Sequence, residues 1–152
     1  PISRRWVRQN IENSNSLTIY FVMDSQAPIT PNASQLSLLT NYILEFSNDT
    51  TLITSVAPLV PVITMTVEIA PFTIDVQSNI TTLLESYATD FQDLGGVLVK
   101  SEVDAVISGA EGEANHVITA MSKDGVPVPI EDLYLSSNEI FEYGTITYQE
   151  LS

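Results

Sequence analysis

The chain has 152 residues and sets five Lys+Arg against 19 Asp+Glu, a formal net charge of −14 that argues against nucleic acid and anionic membrane surfaces as partners, since both need a basic counterpart. With 44% hydrophobic and 16% charged residues it has a globular composition and enough length to bury a core. There are no cysteines, which excludes disulfides, thiolate metal sites and a cysteine nucleophile, and no apolar run approaches the roughly 18 residues of a helical membrane span.

The first element is a hairpin. In LTIYFVMD, residues 17–24, Leu17, Ile19, Phe21 and Met23 alternate onto one face, the period of a strand. ISRRWVRQ is its expected partner across the polar loop NIENSNS. In that partner Arg4, Arg5 and Arg8 crowd around Trp6, which reads either as a basic-aromatic contact patch or as an edge strand carrying positive charge outward against aggregation.

Two prolines in PITPN break the chain. Asn32 and Gln35 then form a capping-box pattern, and Leu36, Leu39, Ile43 and Phe46 predict an amphipathic helix over 33–46. Residues 51–57 read as extended. After Pro58 and Pro61, PVITMTVEIAP places Ile63, Met65, Val67 and Ile69 on one face and Thr64, Thr66 and Glu68 on the other, the clearest strand in the chain.

Asp75 is a candidate cap for a long helix over 76–92, striped by Val76, Ile80, Leu83, Leu84, Tyr87 and Phe91. Gly95 and Gly96 mark a turn. Ser101, followed at the third position by Asp104, is expected to cap a shorter helix carrying Val103, Val106 and Ile107 and ending near Gly109 to Gly112. ANHVITAMS then reads as a strand, with His116, Ile118 and Ala120 on one face and Val117, Thr119 and Met121 on the other. KDG is a turn, VPVPIEDLYL a proline-bearing edge or covering segment, and GTITYQEL a closing strand.

SLLTNYI and TLLESYA, each after a strand and a proline-marked connection, echo one another, by duplication or by shared amphipathic logic. The expected class is therefore α+β: two strand-helix units, residues 1–58 and 59–152, with mixed sheets covered by helices and a C-terminal closing strand. The chain starts at Pro1 rather than methionine and reads as a fragment of a longer one.

Little here points to chemistry. His116 is the only imidazole, and no strained serine turn of the G-x-S-x-G kind accompanies it. One histidine without cysteines cannot build a zinc site. Asp90, Asp93, Glu111, Glu113, Asp124, Glu131 and Asp132 lack the spacing of a calcium loop and read as a solvated acidic surface. Gly95–Gly96 lacks the lysine-serine ending of a phosphate loop. Asn32, Asn48 and Asn79 begin Asn-x-Ser/Thr triplets that mean little outside a secretory context. The six tyrosines are scattered at core-like spacing. We assign no catalytic, cofactor-binding or metal-binding residue.

The order of the pieces carries a resemblance. Gly95–Gly96, VLVKSEVDAVISGAEG, ANHVITAMS and NEIFEYGTITY follow one another as a glycine turn, a helix ending in glycine, a strand and a closing strand. Upstream come RRWVRQ, LTIYFVMD, PITPNASQLSLLTNYI and APLVPVITMTVEIA. Together these resemble the baseplate J-like family, wedge proteins of contractile phage tails and related injection machines. The polar EGEANH, and the length of the segment from Val126 to Phe141, depart from the family pattern. The resemblance implies a structural, non-enzymatic module from the C-terminal region of a wedge subunit, found in the virion and, during assembly, in the host cytoplasm. It further implies oligomerisation in the assembled particle and, as partners, other wedge and hub proteins. Two other readings stand beside it: a small-molecule-binding regulatory domain built from paired strand-helix units, and a hydrolase using a carboxylate pair.

Overall fold

A computed structural model of the chain describes residues 2–9, 15–47, 51–90 and 92–152. The chain forms two compact units, Pro1–Leu59 and Val60–Ser152; the sequence placed the boundary between residues 58 and 59. The architecture is α+β with mixed sheets.

In the first unit a three-stranded sheet has the order β1 (Arg4–Gln9), β2 (Ser16–Val22), β3 (Leu52–Val56). β1 pairs antiparallel with β2, as the hairpin reading expects, and stands at the sheet edge. Most of the loop expected between them, residues 10–14, lies outside the described residues. β3 pairs parallel with β2, so helix α1 (Ala33–Leu44) is a crossover connection. Ile19, Phe21, Val22, Ile29 and Ile53 form the buried centre. The capping box is present: Gln35 N–H donates to Asn32 Oδ1 at 3.0 Å, and Asn32 N–H donates to Gln35 Oε1 at 2.8 Å.

The far end of α1 departs from expectation. The helix stops at Leu44, not residue 46, and Phe46 is 76% exposed rather than core-facing. No α1 residue is fully buried; Leu36, Leu39 and Ile43 are half-buried. A sheet of three strands offers too narrow a face to bury the whole stripe. Phe46 packs instead on Tyr42, four residues back, with ring centroids 5.2 Å apart.

The second unit has a four-stranded sheet of order β7 (Val126–Val128), β6 (Asn115–Lys123), β4 (Val62–Ala70), β9 (Glu142–Glu150). β4 pairs antiparallel with β6 and parallel with β9. Its alternation is as read: Ile63, Met65, Val67 and Ile69 are buried, and Thr64, Thr66 and Glu68 are not. Helices α2 (Ile74–Asp90) and α3 (Lys100–Ser108) complete the core, α2 with Val76, Ile80, Leu84 and Ala88, α3 with Val103 and Ile107. The α2 stripe is narrower than expected, because i, i+4 spacing holds one line and leaves Leu83 37% exposed. Phe91, the last expected member, lies outside the described residues. No described helix is long and apolar enough to cross a membrane.

Both partners of β4 carry an irregularity that sets side-chain phase. Thr66 pairs with Ala120 but Val67 with Ile118, which leaves Thr119 as an extra residue in β6. This bulge overturns the expected faces of β6. Met121 moves to the inner face with Ile118, and Ala120 is exposed. In β9, Ile63 pairs with Tyr143 and Met65 with Ile146, so the shift falls at Gly144–Thr145. A Cβ on Gly144 would stand 2.6 Å from Val62 Cγ1 and 3.1 Å from Thr64 Cγ2, so a side chain there would force those two to move.

The two expected helix caps are also different. Asp75 sits inside the first turn of α2, where its charge suits the helix dipole, and Thr73 Oγ1 accepts from Val76 N–H at 3.4 Å. Ser101 lies within α3, and Val99 holds the cap position without a side-chain bond.

VPVPIEDLYL divides into β7, an edge strand as its prolines predict, and β8 (Leu133–Tyr134), which pairs with β5 (Val97–Leu98). β6 and β7 join through Asp124 and Gly125 at φ 51 and 77, the backbone of a tight two-residue hairpin.

Gly95 has φ +68, and a Cβ there would meet Ser137 Cα at 2.8 Å, whereas one on Gly125 would meet nothing within 4 Å. Gly95→Ala is therefore expected to destabilise the protein by about 2–3 kcal/mol, through both strain and clash, and Gly125→Ala by about 1 kcal/mol, through strain alone. Chemical denaturation of both variants checks the difference.

Candidate functional site

The passage from Gly95 to Lys123 was the one place where the sequence gathered a histidine, glycines and carboxylates, and the fold brings several of them together. His116, the second residue of β6, lies opposite Ile69, on the inner face of the sheet. Its side chain is 10% exposed, and Nδ1 lies 2.9 Å from Glu113 Oε1. Nε2 lies 3.7 Å from Asp104 Oδ1 on α3, and the other oxygen of Asp104 takes the Lys100 ammonium at 2.5 Å. The result is a row, Lys100–Asp104–His116–Glu113, that runs from the first turn of α3 to the start of β6.

Glu113 corrects the reading of the acidic residues as a uniformly solvated surface. Its side chain is only 5% exposed, and it is three residues from the imidazole it faces. A buried carboxylate needs such a partner, because desolvation without one costs several kcal/mol. Among the described residues, no three or more His, Cys, Asp or Glu are arranged to hold a metal ion.

Other expected surface carboxylates are bound into the backbone. Asp132 Oδ1 accepts Lys100 N–H at 2.9 Å, so the cap of α3 comes from 32 residues downstream. Asp124 Oδ1 accepts Val62 N–H at 2.8 Å while its own N–H donates to Val62 O at 2.8 Å, tying the hairpin to the start of β4. Asp93 Oδ1 accepts Leu94 N–H at 2.8 Å. Asp90, Glu111 and Glu131 remain exposed. Of the Asn-x-Ser/Thr triplets, Asn32 is occupied as a cap and Asn79 Nδ2 donates to Glu111 O at 3.0 Å; Asn48 lies outside the described residues.

Sequence reasoning missed three polar residues. Gln92 Oε1 accepts Phe141 N–H at 2.7 Å and its Nε2 donates to Phe141 O at 2.7 Å, so its amide pairs with the backbone as a neighbouring strand would. Lys123 Nζ donates to Glu139 Oε2 at 2.6 Å, and Ser136 N–H reaches the same oxygen at 2.9 Å. These contacts join residues distant in sequence or, for Ser136 and Glu139, within a loop, so no local pattern announces them.

Burial raises the Tyr87 phenol well above its ordinary range, and Glu102, which accepts its hydroxyl at 2.5 Å, raises it further. Burial does the same to Tyr143, whose hydroxyl has no hydrogen-bond partner among the described residues. A shallow cleft of about 670 Å3 lies beside this region, lined by Lys100, Asp104, Ile130, Glu131, Asp132 and Tyr134 among others. No family model matches the chain, and no significant match to it is found among curated proteins.

Two outcomes follow. Asp132→Ala is expected to lower stability by about 1 kcal/mol through loss of the α3 cap, and Ser101→Ala by close to nothing; thermal and urea unfolding distinguish them. For Glu139, burial pushes the carboxyl up, but the hydrogen bond from Lys123, that from Ser136 and the Lys123 charge pull it further down, to a net value below its ordinary 4.5. Its contribution to stability is complete above pH 4.5 and is lost as pH falls through the lower folded value. Glu139→Gln should therefore flatten the acid limb of the stability–pH curve, as measured by urea midpoints between pH 3 and 7.

Proposed function

We propose that the chain is a structural module of a contractile tail baseplate wedge, without catalytic activity, that works through protein–protein contacts in the virion after assembly in the host cytoplasm. Other wedge and hub proteins are its partners. The observation that carries this reading is how the resembling passage is used. Gly95 turns against Ser137, α3 buries Val103 and Ile107, and His116 is tied to Glu113. Lys100, Asp104, Glu113 and His116 are engaged with one another, which is how a scaffold employs such groups.

The test is mass spectrometry of purified contractile tail particles from the source organism, following the tryptic peptide SEVDAVISGAEGEANHVITAMSK, residues 101–123. Co-purification with sheath and tube proteins, at an abundance below that of the sheath, is expected. Plentiful intact particles without the peptide, together with its presence in the cytosolic fraction, would sink the reading. A small-molecule regulatory domain, favoured by the cleft beside Lys100 and Tyr134, would then take its place.

A further inference from the structure

We draw no further inference here: the strongest candidate, the apolar groove of the first unit lined by Phe21, Met23, Leu38, Leu39 and Tyr42 beside α1, is an unpartnered face, and nothing in the structure shows what covers it.

Discussion

Strand β4 is the constraint on which the second unit depends. It is paired on both sides, and every second residue from Ile63 to Ile69 is buried. A strand so placed cannot slip by one residue without turning four apolar side chains to solvent and bringing Thr64, Thr66 and Glu68 into the core. The neighbours adjust to it instead. β6 gains Thr119 and β9 is offset at Gly144–Thr145, and after each adjustment the inward residues again face those of β4: Met121 and Ile146 opposite Met65, Ile118 and Tyr148 opposite Val67. The bulges are the means by which two imperfectly phased strands match one well-phased strand.

Around that sheet the polar groups follow a consistent economy of partners. The two lysines of the second unit are both in ion pairs, with Asp104 and Glu139. Glu113 answers the histidine, while Asp124 and Asp132 answer backbone N–H groups. A strongly acidic unit thereby keeps its least exposed carboxylates satisfied and leaves the remainder in solvent, where their repulsion is screened. The first unit is held differently. Its helix covers the sheet only partly and leaves Leu38, Tyr42 and Phe46 in the open.

The parts of the fold legible in the sequence were those written in one element. Period-two alternation gave β2 and β4, and i, i+4 spacing gave most of α2, because burial of one face is imposed on each of these segments directly. The capping box at Asn32 was legible for the same reason: both halves lie within four residues. Features settled between elements were not legible. The phase of β6 depends on its pairing with β4, and the cap of α3 arrives from Asp132, so neither Met121 nor Ser101 could be placed from its own neighbours. The end of α1 failed differently. Phe46 continues the apolar pattern, but a pattern cannot say how wide a sheet lies beneath it. At the candidate site, His116 was given no catalytic role from the sequence, while its buried partner, Glu113, was grouped with the solvated acids.

The parallel pairing of β4 with β9 has a consequence in time. Val62 meets Glu142 and Ile69 meets Glu150, so the first strand of the unit waits for its last. Helices α2 and α3 and the β6–β7 hairpin can form from contacts near in sequence, but the sheet that unites them closes only by joining the two ends of the unit. Loop-closure entropy is spent before that pairing returns anything, which slows folding relative to a chain of local contacts. On a ribosome, the N-terminal unit can complete its own sheet while β9 is still unmade. Until the last strand arrives, β4 presents a bare edge of alternating isoleucine, methionine and valine, the kind of surface that chaperones exist to shield.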